Sequence, residues 1–273
     1  MKSRLRRSVR GAMAALVVGL PSSAGAGTLC TIVVDAANGK ALLEQGDCRT
    51  RVTPASTFKI ALSLMGFDSG FLKDAHRPEL PYKEGYVDWG GSNWMQPTDP
   101  TRWLKYSVVW YSQIVSHSLG AQRLADYAAK FGYGNADFSG DPGRNNGLDR
   151  AWIASSLKIS PWEQTVFLRK LVTRQLPVSE DAIEETSKII EVSSARDGWR
   201  LHGKTGSANP RQPDGSSDEA HGYGWYVGWA VKEDRTLIFA RLNQDEHKTA
   251  ISGGLRARDG LIEEWPALVA SPT

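Results

Sequence analysis

The pattern of apolar and polar positions predicts strands at both ends of the chain and helices between them. Apolar runs flank the turn Ala-Asn-Gly-Lys, which is typical of a β-hairpin over residues 29–48. A buried helix is expected from about Thr57. Further along, Leu124, Ala128 and Phe131 recur at helical spacing, which predicts a helix with one apolar face.

A third helix is expected at Ser160, Pro161 and Glu163, which have the pattern of a capping box with proline at the first helical position. Residues 132–152 are rich in Gly, Asn, Asp and Pro and predict a long ordered loop. After about residue 195, three apolar segments separated by polar turns predict consecutive strands. The stretch "LRARDGLIEEWPALV" then predicts a closing helix.

These elements indicate an α/β fold of the α+β type. The economical arrangement is one antiparallel sheet built from both chain ends and flanked by helices, with a mostly helical subdomain inserted. The sheet subdomain is expected over about 27–56 and 195–273, and the helical subdomain over about 57–194.

Residues 1–26 have the pattern of a cleaved signal peptide: a cationic start, a short apolar stretch and Ala24-Gly25-Ala26. We therefore expect export to the periplasm with cleavage after Ala26. All five charged residues of this leader are basic, so its removal changes the formal net charge from +3 to −2. That charge offers no basis for binding nucleic acid or an anionic membrane, and no stable membrane association is expected after cleavage. The oligomeric state, monomer or dimer, stays open.

The chain has two cysteines, Cys30 and Cys48, which are equidistant in sequence from Gly39. A regular hairpin would set them opposite each other, so an oxidising compartment favours a disulfide. Two buried free thiols are the alternative, because a slip of one residue in the register would separate them.

Ser56 and Lys59 form a Ser-x-x-Lys pair at the start of an apolar helix that has no acidic residue before Asp68. Residues three apart share a helical face, so the amine can reach the hydroxyl. Burial lowers the pKa of a lysine and makes it a possible base for a serine nucleophile. Composition alone gives about one such pair, and a second, Ser155 and Lys158, precedes a polar segment.

The triplet Lys204-Thr205-Gly206 lies in one of the C-terminal predicted strands. A cation beside a hydroxyl suits a substrate carboxylate, and the glycine allows a close approach of the backbone. By itself the triplet is equally consistent with an ordinary strand-end turn.

Five motifs in order resemble the class D serine β-lactamases, the oxacillinase family. They are "STFK" at Ser56, "SVV" at Ser107, "YGN" at Tyr133, "AW" at Trp152 and "KTG" at Lys204. The similarity extends from about Cys30 to the C-terminus. It implies the serine β-lactamase and penicillin-binding-protein fold over residues 27–273 and a small-molecule β-lactam as substrate.

The resemblance implies roles for the residues around Lys59. Ser56 would attack the lactam carbonyl, and Lys59, carboxylated by carbon dioxide or bicarbonate, would be the general base, with no other cofactor. Trp152 would hydrogen-bond the carbamate, Val109 would give it an apolar neighbour, and Ser107 would relay protons.

The resemblance also implies that Lys204 and Thr205 hold the substrate carboxylate, with Gly206 beside them. The backbone N–H groups of Ser56 and Ser207 would form the oxyanion hole. An arginine would pair with the carboxylate: Arg256 and Arg258 both lie in the expected region, and we favour Arg258.

Some chemistries are not indicated by the sequence. The class A motif S-D-N is absent, and Glu163 is better explained as a helix cap than as a deacylating base. The histidines lack the spacing of metal ligands, so no metal site is expected. Tryptophans such as Trp89, Trp94 and Trp103 are most simply core or cleft-wall residues.

Two other functions compete with hydrolysis. Penicillin-binding transpeptidases and β-lactam sensor domains share the fold and the active serine but stay acylated. A non-catalytic exported binding protein with a decayed site is the other alternative. The sequence does not separate the possible substrates, which range from penicillins and oxacillin to cephalosporins and carbapenems.

Overall fold

The computed structural model describes residues 27–270, so the predicted signal peptide lies outside the described residues. The strands are β1 (Gly27–Asp35), β2 (Ala41–Gly46), β3 (Glu191–Ser194), β4 (Arg200–Ala208), β5 (Tyr223–Lys232) and β6 (Arg235–Gln244). The helices are α1 (Phe58–Asp68), α2 (Pro100–Tyr106), α3 (Val109–Leu119), α4 (Ala121–Phe131), α5 (Gly147–Arg150), α6 (Pro161–Val172), α7 (Glu180–Ile189) and α8 (Gly253–Val269).

The six strands form one antiparallel sheet in the order β2-β1-β6-β5-β4-β3. The N-terminal hairpin therefore pairs with strand β6 from the C-terminal part, which confirms the predicted fold class. Both faces of β5 are buried: Trp225 and Val227 belong to the core on the helical side, whereas Tyr226 packs with Leu261 and Trp265 of α8.

The hairpin differs from the predicted regular register. Cys30 lies opposite Gly46, and the register shifts between Val33 and Val34. Cys48 follows β2 by two residues, yet its Cα lies 5.1 Å from that of Cys30 and the two sulfurs form a disulfide. The bulge and the turn after Gly46, rather than symmetry about the hairpin turn, bring the cysteines together.

The helical predictions are confirmed in detail for α4 and α6. Leu124, Ala128 and Phe131 are all buried on one side of α4. At the start of α6, the Ser160 hydroxyl accepts from the Glu163 N–H at 3.2 Å, and the Glu163 carboxylate accepts from the Ser160 N–H at 3.0 Å. The capping box is thus formed on both sides.

The edge strand β3 was missed by the sequence analysis. Its four residues are mostly exposed and show no apolar alternation, so they carry no strand pattern. It pairs with β4, where Glu191 lies opposite Gly203. Within residues 27–270, none of the helices is both long and apolar enough to cross a lipid bilayer.

Candidate active site

Ser56 lies in a short 3-10 helix, Ala55–Thr57, directly before α1. Ala55 has a φ of +50°, a conformation that residues other than glycine rarely adopt. Lys59 lies in the first turn of α1 and is fully buried. Its Nζ donates to Ser56 Oγ at 3.1 Å, so the predicted pair is formed.

The environment of Lys59 favours the neutral amine. Burial lowers its pKa well below the usual range, and the positive charge of Lys204 lowers it further. Among residues 27–270, no carboxylate forms a salt bridge with Lys59. A buried amine without a counter-ion is therefore next to the Ser56 hydroxyl.

Ser107 and Lys204 form a second contact in the site. Ser107 ends α2 in the left-handed region, with φ +55°. Its Oγ accepts a hydrogen bond from Lys204 Nζ at 2.5 Å, and the Thr205 carbonyl accepts another at 3.0 Å. Burial lowers the pKa of Lys204 to about 8, an effect that Glu191 partly opposes and Arg258 reinforces.

Gly206 brings the backbone of β4 against the Ser56 segment. A Cβ at this position would lie 3.0 Å from the Pro54 carbonyl oxygen and 3.2 Å from the Ser56 nitrogen. Ser207 follows with an exposed side chain, whose Oγ lies 2.9 Å from that of Ser252. The absence of a side chain at residue 206 therefore lets the strand approach the serine closely.

Trp152 lies in the long loop predicted from composition. Its ring stacks on Phe58, the residue before Lys59, with centroids 5.5 Å apart. Its Nε1 is buried and has no hydrogen-bond partner in the described chain. Such donors are normally satisfied, so an acceptor is expected there. Val109, at the start of α3, is buried as expected for an apolar neighbour.

The site opens through a cleft of about 220 Å³. Its lining includes six of the residues proposed from the sequence: Ser56, Ser107, Val109, Thr205, Gly206 and Ser207. Trp89 and Trp94 are cleft wall, while Trp103 is core. Ile153 and Ser252 also line the cleft and were missed, because neither belongs to a motif and only folding brings them to it.

The two candidate arginines differ in their partners. Arg256 is held by the Asp245 carboxylate and by the Ile251 carbonyl. Arg258 contacts Glu191 at 3.7 Å and Asp259 at 2.8 Å. Neither belongs to the cleft lining, so the preference for Arg258 stays a prediction.

The "YGN" motif contacts α1 and the loop that follows Trp152. Tyr133 packs against Phe58 with ring centroids 5.6 Å apart. The Asn135 amide donates to the Ser156 carbonyl at 2.8 Å and accepts from the Lys158 N–H at 2.8 Å. These contacts fix the loop that carries Trp152. Lys158 itself, from the second Ser-x-x-Lys pair, is exposed.

Comparisons with known proteins identify the family. Residues 29–261 match the penicillin binding protein transpeptidase domain. The β-lactamase OXA-9 of Klebsiella pneumoniae is 43% identical over 242 residues, which cover 89% of this chain and 88% of the relative. The crystal structure of the class D β-lactamase OXA-427 has 46% identity and a TM-score of 0.81, covering 88% of this chain and 99% of the other. The chain belongs to the class D β-lactamases.

A second relative gives the same family. The β-lactamase OXA-1 of Escherichia coli is 36% identical over 236 residues, or 85% of this chain and 82% of the relative. As a class D β-lactamase the protein is a hydrolase with a penicillin-binding fold, which confirms the resemblance seen in the five motifs. Between residues 27 and 270, no group of three His, Cys, Asp or Glu side chains could hold a metal ion.

Proposed function

We propose that the protein is a periplasmic enzyme that hydrolyses the β-lactam amide of penicillins and related antibiotics through an acyl-enzyme on Ser56, with carboxylated Lys59 as the general base. The contact between the Lys59 amine and the Ser56 hydroxyl carries this proposal. A lysine buried without a carboxylate is costly to the fold, and a chemical role accounts for it.

The surroundings of Lys59 fit a carbamate. Only a neutral amine reacts with carbon dioxide, and burial lowers the pKa of Lys59 and so favours the neutral form. The Trp152 Nε1, which has no hydrogen-bond partner within residues 27–270, is a donor for a new acceptor, and buried Val109 is an apolar neighbour. Once formed, the carbamate would supply an oxygen base to take the proton of Ser56 and later that of water.

The chain's own groups would then act on the substrate. Ser56 Oγ forms a bond to the lactam carbonyl carbon, the C–N bond breaks, and the ring nitrogen takes a proton. The hydrogen bond of 2.5 Å that Lys204 Nζ donates to Ser107 Oγ supports a role for these two residues in passing that proton. Water then hydrolyses the ester and restores the Ser56 hydroxyl.

Binding would use the open side of the cleft. The backbone N–H groups of Ser56 and Ser207 would stabilise the oxyanion. Thr205 and Lys204 would hold the substrate carboxylate, with Arg258 as the paired guanidinium. Gly206 permits the close approach on which this arrangement depends.

The first experiment is to mix protein lacking residues 1–26 with excess chromogenic cephalosporin and penicillin, and to follow hydrolysis and intact mass together. Turnover with little accumulated adduct is expected. A stable one-to-one adduct on Ser56 without turnover would mean a sensor or transpeptidase relative. The absence of both turnover and adduct would refute the proposal.

Localisation needs its own measurement. The full chain, expressed in a Gram-negative host, should appear in the periplasmic fraction with a mass that corresponds to cleavage after Ala26. Recovery of the uncleaved chain in the cytoplasm or membrane would contradict the export proposal.

A further inference from the structure

The loop segment that carries Trp152 is attached to the core on one side through Thr53. The Thr53 hydroxyl donates to the Trp152 carbonyl at 2.9 Å and accepts from the Ala154 N–H at 3.0 Å. The Thr53 carbonyl accepts from the buried Trp225 indole N–H at 2.9 Å. Thr53 therefore connects residues 152–154, through its side chain, to β5 in the middle of the sheet, through its backbone carbonyl.

Arg211 holds the other side of the segment from the connection between β4 and β5. Its Nε donates to the Ala154 carbonyl at 3.1 Å, and Nη2 donates to the Asp141 carboxylate at 3.1 Å. Nη1 donates to the Gly215 carbonyl at 2.8 Å. The planar guanidinium thus links the Ala154 carbonyl, Asp141 and the Gly215 carbonyl through donors in a fixed fork, a geometry that the compact ammonium of a lysine does not reproduce.

Packing does little to support this part of the loop. Ala154, Ser155 and Ser156 border a cavity of about 600 Å³ that shares no lining residue with the catalytic cleft. Ala154 also has a φ of +50°, which persists only where the surroundings impose it. The hydrogen bond that the Ala154 N–H donates to Thr53 and the one that its carbonyl accepts from Arg211 are therefore the contacts that fix its backbone.

We propose that Arg211 is a positioning residue for the hydrolytic reaction. By fixing the Ala154 carbonyl it holds residues 152–154 so that the Trp152 indole N–H serves the Lys59 carbamate and Ile153 stays in the cleft wall. This rests on the proposed function of Lys59 and Trp152. Arg211 itself touches neither the substrate nor the reacting atoms.

The test compares Arg211→Ala and Arg211→Lys with Arg144→Ala, a control because Arg144 is exposed in the same loop and forms no ion pair within residues 27–270. In Arg211→Ala we expect amide hydrogen exchange over residues 150–158 to become about tenfold faster, since local opening limits it. We also expect kcat to fall and the bicarbonate concentration for half-maximal activity to rise, each about tenfold, with KM changed less. Arg211→Lys should resemble Arg211→Ala, and Arg144→Ala the unsubstituted protein.

Unchanged exchange and an unchanged bicarbonate requirement in Arg211→Ala would overturn the proposal. If the unsubstituted enzyme shows no bicarbonate dependence, the carboxylation of Lys59 is refuted, and hydrogen exchange with the kcat and KM values still decides the role of Arg211. Exchange is measured well below the Tm of each variant, so a general loss of stability would appear across the chain rather than over residues 150–158 alone.

Discussion

The Lys59 amine, in the first turn of the largely buried helix α1, lies 3.1 Å from the Ser56 hydroxyl in the short 3-10 helix just before it. Within residues 27–270 neither side chain forms a salt bridge or hydrogen bond with a carboxylate, and the positive charge of Lys204 further lowers the pKa of Lys59. A neutral amine within hydrogen-bond distance of a serine is the arrangement on which the proposed chemistry depends.

Replacing Lys59 by Ala should nearly abolish turnover, because the variant has no general base. The loss in kcat is expected to be about 10² to 10⁴-fold, the usual contribution of such a base. Steady-state hydrolysis of a chromogenic β-lactam measures it. Lys158→Ala removes the exposed lysine of the second Ser-x-x-Lys pair and should retain full activity. Equal losses in both variants would argue against the assignment.

Activity of the unsubstituted enzyme should fall as the pH is lowered, because protonation of Lys59 prevents its carboxylation. Burial lowers the pKa of this amine, so the neutral form persists at pH values at which an ordinary lysine would be protonated. Added bicarbonate should restore part of the activity lost at low pH. If the rate depends on neither pH nor bicarbonate, the carbamate mechanism is refuted, although the assignment of the chain to its family still holds.

The buried Lys59 amine should lower the free energy of unfolding. Between the lowered pKa of Lys59 and the ordinary value of 10.5, the unfolded chain binds a proton that the folded protein does not, so the free energy of unfolding rises with pH. In carbon dioxide-free buffer at pH 7, Lys59→Met should raise the Tm by about 2 °C or more. The difference should shrink as the pH approaches 10.5. A constant difference would mean that burial does not disfavour the charged amine.

Trp152→Phe should weaken the carbamate while keeping the ring that stacks on Phe58. We expect the bicarbonate concentration for half-maximal activity to rise by about tenfold, the loss of one hydrogen bond to a charged group. The matched control is Trp265→Phe: within residues 27–270 Trp265 also has a buried Nε1 without a hydrogen-bond partner, but it lies on α8 in a separate core cluster from Trp152. If both variants keep the normal requirement, the Trp152 indole N–H has no such role.

Gly206→Ala should lower kcat by about 10²-fold, comparable to the loss of an oxyanion-hole donor. The new methyl group would press on the Ser56 nitrogen, 3.2 Å away, and on the Pro54 carbonyl. Gly27→Ala is the control, because a Cβ there meets nothing within 4 Å. The Tm of each variant shows whether a loss of activity comes from a displaced site or from an unstable sheet. Full activity in Gly206→Ala would show that strand β4 can shift to accommodate the methyl group.

Glu163→Ala should reduce stability and leave kcat unchanged. Burial raises the pKa of Glu163, but hydrogen bonds from Arg51 and Ser160 outweigh it and lower the pKa overall, as for a structural carboxylate. The loss is expected to be about 1 kcal/mol, typical of a helix cap, and Ser160→Ala should cost a similar amount. Chemical denaturation measures both, and a large fall in kcat would instead identify Glu163 as a catalytic base.

The sequence by itself determined the elements whose pattern is local. The spacing of Leu124, Ala128 and Phe131 specifies α4, and the capping box specifies the start of α6, because helix periodicity and caps depend on residues three or four apart. The five ordered motifs were sufficient for the family. They also named Ser56 and Lys59 as a pair, since one helical turn joins them.

Only the tertiary structure decided the relationships between distant residues. Lys204 meets Ser107 across 97 positions of sequence, and Ser252 and Ile153 enter the cleft from separate segments. The bulge after Val33 set the register that no symmetry about Gly39 could supply. Such contacts depend on how the sheet and the long loop pack together, and local propensities do not encode this packing.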